Sequence, residues 1–400
     1  MDATAGTSSS RSCARSYARS KLLVRSVRLE PDHQWPFGGD LSVARTLRIG
    51  THEIGDSSPC YVIAEIGHNH QGSLEKAREL FREAKLAGAH AVKLQKRDNR
   101  GLYTRAAYEK PYDNENSFGP TYGEHREFLE FGRKEYEALQ AYARELGVDF
   151  FATAFDLASA DFLADFDMPA FKIASGDLKS TPLLKHVASF GKPMIVSTGG
   201  AMLEDVHRAY DAIMPINPQL AILQCTAGYP AAFDELDLRV ISTYRETFPD
   251  AVIGFSSHDN GISMPVAAYM LGARIVEKHF TLNRAMKGTD HAFSLEPVGL
   301  RKMVRDLERT FKAMGNGAKK IYESERAPIV KMGKSLVVAR NLPTGHVLGP
   351  QDVVMKSPGG GIPPYELDKV IGRTTLKALH QDDFLSFEVL SKPDPEFARS

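Results

Sequence analysis

Short apolar runs alternate with helical patterns along most of the chain. Eight runs read as strands: 61–67, 91–95, 149–155, 170–176, 193–199, 220–226, 251–258 and 273–280. Between them, apolar residues recur at helical spacing over 74–87, 133–146, 182–190, 203–213 and 234–247. A last helical pattern, 297–314, carries Leu300, Met303, Val304, Leu307 and Phe311 on one face. Gly88, Gly147, Gly191 and Gly272 stand where helices give way to the next strand. Strands alternating with helices predict right-handed crossovers and a parallel sheet. Eight repeats within about 220 residues suit a closed (β/α)8 TIM barrel better than an open sheet. The stretch 46–55 reads as a small hairpin ahead of the barrel.

Three stretches break the rhythm. The link 96–132 is too long for a barrel loop. It holds Tyr103, Tyr108, Tyr112, Phe118, Tyr122 and Phe128 among glycines and charges. It reads either as a surface excursion with its own small core or as a lid over the site. After Gly315-Asn316-Gly317 the pieces 335–339, 352–356, 374–378 and 384–388 are short and β-prone, punctuated by Pro and Gly. The expected division is an extension over 1–42, a barrel domain over 43–320, a linker over 321–334 and a small β-rich domain over 335–395. The extension is rich in Ser, Arg and Ala and poor in acids. It reads as disordered or as a transit peptide.

Composition narrows the function classes. Lys plus Arg and Asp plus Glu both total 50, so the formal net charge is zero. That argues against a nucleic-acid binder that relies on a broad basic field. No apolar run is long enough to span a membrane. Cys13, Cys60 and Cys225 are scattered, so no disulfide framework is expected and a reducing compartment is the default. The expected location is the cytoplasm, with organelle import as the alternative if 1–42 is a transit peptide.

The candidate chemistry gathers at the strand ends, where barrel enzymes place their sites. Glu65 with His68, Asn69 and His70 follows the first run; Lys93 and Gln95 close the second; Thr153 the third. Lys172, Ser175 and Asp177 close the fourth, Ser197 and Thr198 the fifth, Thr226 and Tyr229 the sixth. Ser256 and His258, then Glu277 and His279, close the last two. Two imidazoles on adjacent strand ends can bind a divalent metal, with Glu277 on the same face as His279. Lys93 and Lys172 directed into the barrel mouth need anions. With the hydroxyls of Ser175, Ser197, Thr198 and Ser256, and glycines that let backbone N–H groups approach, they describe a site for a small phosphorylated carboxylate. The alternative is internal pairing of the lysines with Glu65 and Glu277.

The segments Ala64-Glu-Ile-Gly-His-Asn-His-Gln-Gly72, Val92-Lys-Leu-Gln95, Phe171-Lys-Ile-Ala-Ser-Gly176, Ser197-Thr-Gly199, Gln224-Cys-Thr-Ala-Gly-Tyr-Pro230 and Glu277-Lys-His-Phe-Thr281 resemble the ordered motif set of the sialic acid synthases. The resemblance runs from about Thr46 to Leu390. It implies a TIM barrel followed by an antifreeze-like (SAF) domain, working as a homodimer. It implies condensation of phosphoenolpyruvate with open-chain N-acetylmannosamine or a related sugar, giving a nonulosonic acid and phosphate. By the same resemblance, His258 and His279 hold Mn2+ or Mg2+. Lys93 and Thr153 hold the carboxylate of phosphoenolpyruvate, and Lys172, Ser175, Ser197 and Ser256 its phosphate. Glu65 handles protons, with Lys93 and Asp177 also at the reacting centre. Gln95, Phe155, Asp177, Tyr229 and Asp290 face the sugar.

The chain departs from the family pattern at three positions. Asp177 replaces the commoner Glu, Ala227 stands where an Asn often is, and Ser357 replaces an arginine that reaches the N-acetyl group of the sugar. These departures leave open mannose or another modified hexosamine as acceptor. A metal-dependent aldolase that does not use phosphoenolpyruvate, or a barrel that has become a sugar-binding protein, are the competing classes. The first has no use for the lysine and serine set, and the second no reason to keep Glu65, Lys93, Lys172, His258 and His279.

Overall fold

A computed structural model describes residues 45–392. The sequence features read in 1–42 lie outside the described residues. The chain divides into two compact units that meet at Gly315 and Asn316.

The first unit opens with an antiparallel hairpin, β1 (Thr46–Ile49) and β2 (His52–Gly55). Eight parallel strands follow: β3 (Tyr61–Gly67), β4 (Ala91–Lys96), β5 (Asp149–Ala154), β6 (Phe171–Ile173), β7 (Met194–Ser197), β8 (Leu220–Cys225), β9 (Val252–Ser257) and β10 (Ile275–His279). They close into a barrel in chain order, with β10 paired to β3. The runs are apolar and buried on both faces because helices cover the outside and side chains fill the inside. The TIM barrel is therefore the fold. Strand β6 is shorter than its apolar run, since Ser175–Asp177 turns into a 3-10 helix.

The outer helices follow from local pattern. In Leu74–Leu86, Ala77, Leu80, Phe81 and Ala84 fall on one buried stripe, and the hydroxyl of Ser73 caps the first turn by accepting from the N–H of Lys76. Helix Arg133–Leu146 stops at Gly147, whose φ of 64° is the left-handed conformation a C-terminal cap requires. One helix is shorter than its pattern: 234–247 becomes a 3-10 turn at Phe233–Glu235 and a helix only over Val240–Thr247. At the N-terminal end of the barrel, Asp149 accepts from the Tyr61 hydroxyl and lies 3.1 Å from the ring of His52, tying hairpin to barrel.

The second unit has its own core of Leu336, Val338, Leu342, Leu348, Val370, Leu379, Leu385 and Leu390. Of the four β-prone pieces, two become strands, β11 (Ser335–Val338) and β12 (Val353–Lys356), paired antiparallel. The pieces at 374–378 and 384–388 make only isolated bridges, Val347 to Thr374, Thr375 to Leu390 and Val337 to Phe384. Short strands interrupted by Pro and Gly cannot sustain a ladder. Within 321–334, read as a linker, Glu323–Met332 is helical despite Pro328.

Candidate active site

Parallel register brings charges of neighbouring strands to one end of the barrel. Glu65 of β3 sits beside Lys93 of β4 on one side and His279 of β10 on the other. Glu277 sits beside Ser256, and Gln95 beside Thr153. Together they line a cleft of about 560 Å3 at the C-terminal strand ends, shared with Phe155, Lys172, Ser175, Ser197, Tyr229, His258 and Asp290. Gly67, at φ 54°, closes β3 there; a Cβ on it would press within 3.2 Å of both Gln95 and Glu65. Asp177 is half-buried in the turn after β6 and is not part of the cleft wall. Burial pushes its carboxyl up to about 6, against the pull of Arg97 and Lys172.

The floor of the cleft is a charge cluster almost closed to solvent. The Lys93 ammonium lies 2.7 Å from Glu65 and 3.6 Å from Glu277, with all three side chains at most 6% exposed. Lys93 also donates to the Thr153 hydroxyl at 2.8 Å. Burial raises Glu65 to about 7, opposed by Lys93. Burial also acts on Glu277, but Lys172, Lys93 and the two histidines outweigh it and hold that carboxyl below its ordinary value. The Lys172 ammonium donates to the Ser197 hydroxyl at 2.7 Å and the Ile173 carbonyl at 2.8 Å. It makes no ion pair among the described residues, and burial lowers its pKa. The two readings of the lysines thus divide: Lys93 is paired internally, and Lys172 is not. Ser175 accepts from the N–H of Gly199 at 2.9 Å, and Ser256 lies 3.5 Å from Glu277.

The rings of His258 and His279 stand 5.4 Å apart. His258 directs Nδ1 at the Thr226 carbonyl, 2.8 Å away, which fixes its proton there and leaves Nε2 free. Nδ1 of His279 is buried with no hydrogen-bond partner, and burial lowers the pKa of that ring. Two imidazoles, one with an orphaned nitrogen, are the residues here that could hold a divalent metal. Among the described residues no group of three or more His, Cys, Asp or Glu could hold an ion.

Several polar residues of the strand ends hold loops instead. Asn69 donates to the Phe280 carbonyl and Ser294. Thr198 and Thr226 donate to the carbonyls of Leu223 and Glu235. His70 stacks on Phe131 at 4.0 Å, accepts from the N–H of Gly72, and is held down to about 3 by burial. Both buried cysteines are free thiols. Ala227 lines the cleft, and Ser357 is exposed, accepting from Lys334 at 2.7 Å.

Arg97 and Arg126 also line the cleft, and no strand-end pattern marked either of them. Arg97 lies two positions beyond Gln95, just past the end of β4. Arg126 is on helix Tyr122–Leu129 of the long excursion. That excursion forms part of the cleft wall, and it is pinned to the loop after β10 by the N–H of Gly288 donating to Asn116 at 2.8 Å. Only its folding back brings Arg126 into place.

The NeuB family model matches residues 80–319 and the SAF domain model residues 333–390. The chain is 39% identical to the human N-acetylneuraminate-9-phosphate synthase, over 84% of this chain and 94% of that one. It is 33% identical to the N,N'-diacetyllegionaminic acid synthase of Legionella pneumophila, over 80% and 91%. Its structure is similar to that of the sialic acid synthetase of Leptospira borgpetersenii in complex with citrate, with a TM-score of 0.63, 30% identity, and coverage of 72% of this chain and 95% of that one. The chain belongs to the NeuB family of carbon–carbon bond-forming synthases, and it carries a C-terminal SAF domain.

Proposed function

We propose that the cleft condenses phosphoenolpyruvate with an open-chain hexosamine of the N-acetylmannosamine type, giving a nonulosonic acid and phosphate. The observation that carries this reading is Lys172. A buried ammonium bonded to a serine hydroxyl and a carbonyl, with no carboxylate in ion-pair contact among the described residues, is a site that an anion completes. Ser175, Ser197 and Ser256 surround it with hydroxyls for a phosphate, and Lys93 with Thr153 offers a second contact for the carboxylate of the same molecule.

His258 and His279 are the residues that would hold Mn2+ or Mg2+, which supplies a Lewis acid for the aldehyde oxygen. Carbon 3 of phosphoenolpyruvate forms the new bond to the aldehyde carbon, whose oxygen takes up a proton. Water then adds at carbon 2, and phosphate leaves with cleavage of its C–O bond. Glu65 is the group to move protons, because burial brings its carboxyl to about 7, where both forms are accessible at neutral pH. Gln95 holds it in place by donating to Oε1 at 2.8 Å. Gln95, Phe155, Tyr229 and Asp290 face the sugar, and Asp177 acts from behind the wall. A homodimer belongs to this reading and is checked by light scattering.

The deciding experiment mixes the protein, phosphoenolpyruvate, Mn2+ and a panel of N-acetylmannosamine, mannose and modified hexosamines. Phosphate release that depends on the sugar supports the reading. Sugar turnover without phosphoenolpyruvate would favour an aldolase and overturn it.

A further inference from the structure

We propose that Lys278, Ser257 and Asp259 form a clamp outside the cleft that sets the spacing of His258 and His279. None of the three is among the residues that line the cleft, so they act by positioning. The clamp rests on the hydrogen bonds given below. That the two histidines hold a divalent cation rests on the condensation reading above.

The histidines need such a device because the strand ladder stops short of them. The register between β9 and β10 runs to Ser257 and Lys278, one residue before His258 and His279. His279 keeps its partner Glu65 on β3, at the other edge of β10. The ring of His258 is oriented by the Thr226 carbonyl, whereas Nδ1 of His279 has no hydrogen bond. The separation of the two rings is therefore left to whatever joins the strands next.

Lys278 is that joint. Successive strand residues alternate between faces, so Glu277 and His279 line the cleft and Lys278 turns to the outer face of the barrel. Its side chain and that of Asp259 are each 1% exposed. The ammonium donates to the Ser257 hydroxyl at 2.8 Å, to Oδ1 of Asp259 at 3.1 Å, and to the Asp259 carbonyl. Three donors thus meet three acceptors. The Ser257 hydroxyl also donates to Oδ1 of Asp259, which closes the group. The acceptors belong to the residues just before and just after His258. The donor belongs to the residue just before His279. One side chain therefore grips both flanks of the first histidine from the backbone of the second.

Stability alone does not account for the arrangement. A buried ion pair costs the desolvation of both partners, and well-packed apolar residues of similar volume often serve as well or better. The group also leaves Oδ2 of Asp259 buried with no partner. What an ammonium with three fixed acceptors adds is direction, which apolar packing does not supply. Residues that orient metal-binding imidazoles without touching the metal still govern its affinity.

The test is calorimetric titration of metal-stripped protein with Mn2+, beside denaturant unfolding. The proteins are wild type, His279→Ala, Lys278→Met and the double variant Lys278→Met with Asp259→Leu. Lys278→Met leaves Asp259 buried and unpaired, so stability and Mn2+ affinity both fall. The double variant removes both charges, and its stability returns to that of the wild type or above. Its Mn2+ affinity stays weakened, on the order of 10- to 100-fold. A merely structural pair would recover both together. Wild-type affinity in the double variant, with binding lost in His279→Ala, overturns the clamp alone. Absent Mn2+ binding, or equal binding in wild type and His279→Ala, overturns the metal assignment and the clamp with it. If the double variant does not fold, Ser257→Ala decides, since it removes one acceptor and keeps the ion pair. Affinity lowered about 2- to 10-fold there supports the clamp, and unchanged affinity overturns it.

Discussion

The floor and the rim of the cleft handle buried charge in opposite ways. On the floor, Lys93 faces two carboxylates within 3.6 Å, so charge is largely neutralised inside the protein. At the rim, Arg97 and Arg126 face one imidazole between them. The floor is built on adjacent strands, where register repeats faithfully and a carboxylate can be placed against an ammonium. The rim is built on the end of β4 and on a helix of the excursion, which lies outside the barrel ladder. Internal pairing neutralises a buried cation within the protein, whereas an unpaired one remains open to an anion. Lys172 is the floor residue that behaves like the rim.

The largest test of this contrast removes the metal. Chelation, or His279→Ala, is expected to bring turnover below detection, and Mn2+ restores it only to the chelated wild type. Far-ultraviolet circular dichroism checks that His279→Ala is folded, and full activity in metal-stripped protein contradicts the assignment.

The two lysines give the next largest effects, on different observables. Lys93→Met leaves Glu65 and Glu277 buried without their cation, at a cost of about 3–5 kcal/mol in stability. Lys172→Met removes a cation that has no carboxylate in ion-pair contact, so its effect falls mainly on phosphoenolpyruvate, by about 2–4 kcal/mol or roughly 30- to 1000-fold in specificity constant. Denaturant unfolding and the kinetics of both variants decide; equal losses of stability would erase the distinction.

Glu65 on the floor and His70 in the loop after β3 respond to pH with opposite sign. Burial raises Glu65 from 4.5 to about 7, so the folded state favours its proton. Its contribution is complete below pH 4.5 and is lost as pH rises toward 7. Burial lowers His70 from 6.5 to about 3, so its contribution is complete above pH 6.5 and is lost as pH falls toward 3. Each slope approaches about 1.4 kcal/mol per pH unit inside its window. Stability of metal-free protein against pH, compared with Glu65→Gln and His70→Gln, measures both. Slopes unaffected by the substitutions would assign the pH dependence elsewhere.

The smallest expected effect lies outside both regions. Ser357 is exposed and bonded to Lys334, so it offers no guanidinium to an acetamido group. Discrimination between N-acetylmannosamine and mannose should accordingly be weak, and Ser357→Arg should shift it toward the former by about 1–2 kcal/mol at most. A strong preference in the wild type that the substitution leaves unchanged would show that this position does not set the choice of sugar.

The barrel was legible because its signals are local. Apolar runs separated by helical stripes and glycine stops specify strand, helix and order with no knowledge of distant contacts. Most of the candidate site followed from the same signal, since Glu65, Lys93, Thr153, Lys172, Ser256, His258 and Glu277 all sit at strand ends that the cleft gathers. The second unit was less legible. Its pieces at 374–378 and 384–388 look like strands, but each found too little neighbouring backbone to pair as more than isolated bridges.

The sequence by itself determined the eight-fold alternation, the end of the barrel that holds the chemistry, and the residue types delivered there. Those depend on periodicity and on where each run stops. Only the tertiary structure decided which lysine is paired with carboxylates, that Asp177 is not among the residues lining the cleft, and that Arg126 and Arg97 converge on His68. Such pairings depend on strand register around a closed ring and on the path of a long excursion. Both are fixed by packing between residues distant in the chain, and no local pattern encodes them.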